Sequence, residues 1–126
     1  MHAIIVLHAR ILLVAIFLMS AVGKMTDFNG TKAYMASKGI PQTDIFLVGA
    51  IVFLLLGGLS VLFGYKTKYG ALLLIIFLIP VTLIFHTDFG NKTQLIMFMK
   101  NLSILGGLLL VWAHGPGSIS IDGRAR

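Results

Sequence analysis

The chain has 126 residues, of which 58% are hydrophobic and 11% charged, with a mean hydropathy of +1.00 and a formal net charge of +6. That composition belongs to the membrane class rather than to soluble domains, and the length admits about four spans of roughly 20 residues each. The absence of cysteine excludes disulfide exchange, thiolate catalysis and iron–sulfur ligation. Lys and Arg sit at the ends of apolar runs rather than on one soluble face, which excludes nucleic acid as a partner.

The first apolar run covers residues 4–23. Taken alone, its basic start, short apolar core and SAVG resemble a signal peptide. Apolar residues already begin at Ala3 and further spans follow, so the run is read as the first transmembrane helix, with Arg10 embedded near its start. Arg10 and Lys24 fall within about 40° of one another on a helical wheel and some 21 Å apart along the axis. They bracket one side of the helix from opposite membrane surfaces, with Ser20 one turn before Lys24.

Residues 24–44 are the longest polar stretch. Within it a short helix is predicted, capped by Asn29 or Thr31 and ended by Gly39 before Pro41. Phe28, Tyr34, Met35 and Ile40 would lay it in the interface or over the mouth of the bundle, as connector or as lid.

Residues 45–64 form the second span, with Gly57, Ser60 and Gly64 on a small-residue side that permits close helix approach. Tyr65, Lys66, Lys68 and Tyr69 make a basic turn with interfacial aromatics. The third span, 70–86, is short and carries Pro80, which removes a backbone hydrogen bond and predicts a kink. The fourth, 94–112, contains Lys100 and Asn101, with Lys100 about 9 Å along the axis from Gln94. After it, AHGPGSISIDGRAR breaks the helix and leaves a short tail.

The predicted fold is therefore all-α: a single transmembrane domain over 1–126, an up-down bundle of four helices with a short interfacial helix between the first two. Alternation of spans sorts the polar groups onto two ends. The A end holds both termini, Arg10, the Tyr65–Tyr69 turn and Asp122; the B end holds Lys24, the connector, His86, and Lys100 with Asn101. At the A end Asp122 is the expected ion-pair partner of Arg10, since a carboxylate relieves the cost of a buried guanidinium. The alternative there is that Arg10 snorkels to phosphate.

At the B end Lys24, Tyr34, His86, Lys100 and Asn101 are the candidate ligand-binding set, offering ammonium, amide and imidazole donors to an anion or a carbonyl-bearing molecule. For Lys100 the bland alternative is a side chain that bends up to the head groups. His2, His8, His86 and His114 lie at different rims and do not make a metal or haem site, and no phosphate-binding or catalytic motif stands in a supporting context. Counting Arg10, Lys66, Lys68, Arg124 and Arg126 at the A end against Lys24, Lys32, Lys38 and Lys92 at the B end, the positive-inside rule puts the A end, and so both termini, in the cytoplasm by a margin of one.

ARILLVAIFLMSAVGKMTDFNGTKAYMASKGIP, with its embedded Arg, Ser-x-x-Gly-Lys helix end and Phe-x-Gly connector, resembles the opening of DoxX family membrane proteins. KNLSILGGLLLVWAHGPGSISID is similar to the Lys-Asn-Leu, Gly-Gly-Leu-Leu and Gly-Pro-Gly-x-x-Ser-x-Asp signature of the same family. The resemblance spans essentially the whole chain. It implies four transmembrane helices and singles out Arg10, Ser20, Lys24, Lys100, Asn101 and Asp122. The family is named after a membrane subunit of a quinone-reducing thiosulfate oxidoreductase.

The expectation that follows is a small multi-pass protein of the inner (plasma) membrane. It would act as a subunit or accessory of a quinone-linked or stress-related oxidoreductase and bind a quinone head group near Lys100 and Asn101. It would not be catalytic by itself; its partners would be other oxidoreductase subunits, membrane or soluble, or further copies of itself. The alternatives are a small-anion transporter or pore, and a structural membrane assembly factor.

Overall fold

The computed structural model describes residues 1–86 and 88–124. Its helices in chain order are α1 His2–Thr26, α2 Phe28–Ser37, α3 Thr43–Phe63, α4 Thr67–Phe85, α5 Lys92–His114 and the single turn α6 Ile121–Arg124. Four of them, α1, α3, α4 and α5, are long and apolar enough to cross a membrane. They run up and down in sequence, the all-α four-span bundle expected from hydropathy.

The helix ends have local causes. α1 and α2 are separated by Asp27 alone, whose backbone (φ −126°, ψ 56°) leaves the helical region. α2 therefore begins at Phe28, earlier than an Asn29 or Thr31 cap would place it. Thr31 instead turns its hydroxyl back onto the Asp27 carbonyl, at 2.8 Å. Gly39 closes α2 in the left-handed region (φ 81°), as its position before Pro41 predicted. Gly64 closes α3 in the same way (φ 69°), and Ser60 donates to the carbonyls of Tyr65 and Lys66 across the turn that follows. The Asn91 side chain caps α5 by accepting from the Thr93 and Gln94 N–H groups. α4 remains helical through Pro80.

Helix association in lipid depends on close packing, because lipid is as apolar as the helix surfaces. α3 and α4 achieve it at a crossing of small residues near the A end. A Cβ added to Gly57 would lie 2.7 Å from Leu74 and 3.0 Å from the Gly70 carbonyl, and one added to Gly70 would strike the Ser60 hydroxyl. Around this crossing Val14, Phe17 and Ala21 of α1, Leu54 and Val61 of α3, Ala71, Leu74 and Leu78 of α4 and Leu108 of α5 form the core. α5 packs along α4 and reaches α1 where Gly107 meets Leu13. Towards the B end a space opens that residues of α2, α3 and α4 line together.

Candidate functional site

That space is a cavity of about 930 Å³, within the usual size range for small-molecule sites. Its apolar wall is aromatic: Phe46 and Phe53 from α3, and Phe77 and Phe85 from α4. α2 supplies one side, with Met35 buried and Tyr34 stacked on Phe85 at 5.3 Å between ring centroids. The short connector helix thus lies over the bundle mouth, tied to α4 by an aromatic pair.

The polar groups gather at one end. Lys24 is partly buried and donates to Ser20 Oγ at 2.9 Å, one helical turn back along α1. Lys38 lies over the Tyr34 ring at 5.8 Å. His86 bonds through Nδ1 to Gln94 Oε1 at 2.9 Å. With a carboxamide oxygen as the acceptor, Nδ1 carries the proton, and in the neutral ring Nε2 keeps a lone pair. Among the described residues no Asp or Glu lines the cavity. Among the nearby acids, Asp44 is paired with Lys32 at 2.8 Å and the Asp27 carboxylate packs against Gly30. The arrangement therefore suits a molecule with an apolar body and an oxygen-bearing or anionic head.

Lys24, Tyr34 and His86 all line this cavity. Lys100 and Asn101 do not. Asn101 donates to Thr82 Oγ1 at 3.0 Å, and that hydroxyl donates on to the Leu78 carbonyl at 2.7 Å. Asn101 thus clamps α5 to α4, and the body of α4 stands between it and the cavity. Lys100, one residue earlier and so about 100° away in helical phase, is exposed on the outside of the bundle. Sharing a membrane depth with a site does not place a residue in it; the rotation of the helix does.

Sequence reasoning missed the aromatic wall. Its signal was present in Phe46, Gly49, Ala50 and Phe53, whose i, i+3, i+4, i+7 spacing marks one side of α3. Every one of these residues lines the cavity.

The A end is built differently. Arg10 is 2% exposed, and its Nη2 donates to the Ile119 carbonyl at 2.8 Å, while Nε and Nη1 have no hydrogen-bond partner among the described residues. The tail does fold back over Arg10, but the expected bond from the guanidinium to Asp122 is replaced by this carbonyl contact. The Asp122 carboxylate serves the start of α4 instead. It accepts from the Lys66 and Thr67 N–H groups at 2.9 and 3.0 Å and from the Thr67 hydroxyl at 3.1 Å. Two orphan backbone donors at a helix N-terminus, with the dipole behind them, are a strong claim on a carboxylate. The Asp122 N–H also bonds the Gly64 carbonyl at 2.7 Å, so the tail is stitched to the α3–α4 turn.

Between Arg10 and Lys24, the same side of α1 is filled by Val14, Phe17 and Ala21, all in the packed core. The two cations are therefore ends of a closed apolar face, without a polar track between them inside one chain.

Comparison with known proteins bears on residues 5–87, which match the DoxX family model. The chain belongs to the DoxX family. The match takes in every residue lining the cavity. Among relatives, the inner membrane protein YqjF of Escherichia coli (strain K12) is 42% identical over 117 residues, covering 93% of this chain and 88% of that protein. The inner membrane protein YphA of the same organism is 35% identical over 126 residues, covering 96% and 90%. The ER-derived vesicles protein ERV29 of Saccharomyces cerevisiae is 33% identical over 81 residues, covering 60% of this chain and 26% of that protein. No solved structure matches the chain significantly. With four membrane-length helices and two such relatives, this DoxX protein is a multi-pass membrane protein.

Proposed function

We propose that this DoxX protein holds an amphiphile in the cavity between α2, α3 and α4, with an isoprenoid quinone as the molecule that fits best. In this role it is an accessory subunit of a quinone-linked or stress-related oxidoreductase system in the inner membrane. The observation that carries the proposal is the pairing of an aromatic-walled space of about 930 Å³ with Lys24, Tyr34 and His86 at one end and no carboxylate among the described residues of the lining. A quinone head presents carbonyl oxygens that accept hydrogen bonds, which the Lys24 ammonium and the Tyr34 hydroxyl supply. Its apolar tail leaves through the gap between α3 and α4 into lipid. In the quinol form the head becomes a donor, for which the His86 Nε2 lone pair is the available acceptor.

The reading favours Lys24 over Lys100 and Asn101 for the quinone head, because Lys24 lines the cavity and the other two do not. The anion-pore alternative draws less support, because the line from Arg10 to Lys24 is closed by packed apolar side chains.

The test is binding of a short-chain quinone to the purified protein in nanodiscs, followed by native mass spectrometry. Lys24→Met should weaken binding by about tenfold, the equivalent of losing one interaction of about 1.4 kcal/mol, while Lys100→Met leaves it unchanged. Equal binding by wild type and Lys24→Met rejects the site. Binding of fatty acid or phospholipid in place of quinone keeps the amphiphile and removes the redox role.

A further inference from the structure

Lys100 lies outside the cavity, and among the described residues no ion pair or side-chain hydrogen bond engages its ammonium. It lies eight residues into α5, about 12 Å along the axis from Lys92. Its side chain is exposed on the outside of the bundle, where the bilayer is. An ammonium near a span's centre is costly to insert, and such residues face protein or water far more often than lipid.

A second feature of the same helix is likewise unexplained from within. Gly106 and Gly107 are adjacent and divide their surroundings. A Cβ on Gly107 would lie 3.1 Å from Leu13 of α1, whereas one on Gly106 would meet nothing within 4 Å. Glycine in a helix interior is less favourable than alanine, and among the described residues no contact requires it at Gly106. Lys100, Ser103 and Gly106 follow one another at i, i+3, i+6, all exposed, and Leu110 extends the same side at 62% exposure. Small residues here let a foreign helix come close, and the lysine one to two turns away states what that helix must carry.

We propose that this side of α5 is the docking surface for a transmembrane helix of a different protein that bears an Asp or Glu at the depth of Lys100. Charge decides against a second copy. The four acids of the chain, Asp27, Asp44, Asp88 and Asp122, lie at the ends of the bundle, in the loops, in α6 or in the first turn of α3. Two copies meeting through α5 about a twofold axis would set Lys100 against Lys100. A carboxylate from another chain turns the same position into a charge-assisted contact in a medium where no water competes for it.

The surface is independent of what occupies the cavity, so failure of quinone binding leaves it standing. The test is photo-crosslinking in intact membranes of the source cell, with p-benzoylphenylalanine replacing Leu110 and, as a control, Met19 on exposed α1. The expected result is an adduct from position 110 alone, with one membrane protein whose cross-linked span carries Asp or Glu level with Lys100. Lys100→Met should cut its yield at least tenfold, and Lys100→Arg should keep it. Lys100→Asp should abolish it until the partner's acid is exchanged for Lys. An adduct with another copy of this chain overturns the proposal. So do adducts with lipid only, no adduct at all, and a protein adduct whose yield Lys100→Met does not change.

Discussion

The two ends of this bundle are made by the same pair of helices and behave as opposites. At the A end α3 and α4 cross on Gly57 and Gly70 with no room for a methyl group, and the tail is stitched over the crossing through Gly64, Ser120 and Asp122. At the B end the same helices carry Phe46, Phe53, Phe77 and Phe85 and line a cavity. In lipid, where apolar burial does not pull helices together, the size of the side chain at the contact sets the distance between them. Small residues with backbone hydrogen bonds make a rigid end, and bulky aromatics make an open one. The cations follow the same division: Arg10 is locked under a carbonyl, while Lys24 is tethered only to a hydroxyl and faces the space.

The largest effect that tests this contrast is expected at Gly64. Its φ of 69° and the contact of an added Cβ with Ser120 make Gly64→Ala strained in two ways. The left-handed backbone costs about 1–2 kcal/mol and the overpacking about 1–3 kcal/mol. Thermal melting in detergent should show the loss, and an unchanged melting temperature would refute the rigid clasp.

A matched pair on α3 comes next. Gly57→Ala should destabilise by about 1–3 kcal/mol. Gly49→Ala, where an added Cβ meets nothing within 4 Å, should be neutral or gain up to about 1 kcal/mol from helix propensity. Equal responses would erase the distinction between the ends. Asp122→Ala should cost about 0.5–2 kcal/mol as a lost helix cap. Combined with Arg10→Gln it should cost less than the sum, because each change frees the same tail. Strict additivity in a double-mutant cycle would separate the two residues.

Much of this architecture was legible before any contact was seen. Four apolar runs, 4–23, 45–64, 70–86 and 94–112, define the spans, because transfer into lipid is summed residue by residue along the chain. Their alternation places Lys24, Tyr34 and His86 at one end and Arg10 with Asp122 at the other. What this level of argument lacks is rotation about each helix axis. Asn101 and Lys100 are neighbours in sequence, yet one clamps Thr82 and the other looks away from the bundle.

The same gap explains Asp122. Charge counting put it near Arg10, and the backbone donors that take its carboxylate exist only once the α3–α4 turn has formed. By itself, the sequence determined that this DoxX protein crosses the membrane four times and which polar residues share an end. Only the tertiary structure decided which of them line one cavity. Helical phase is set by how neighbouring side chains pack, and hydropathy is blind to it.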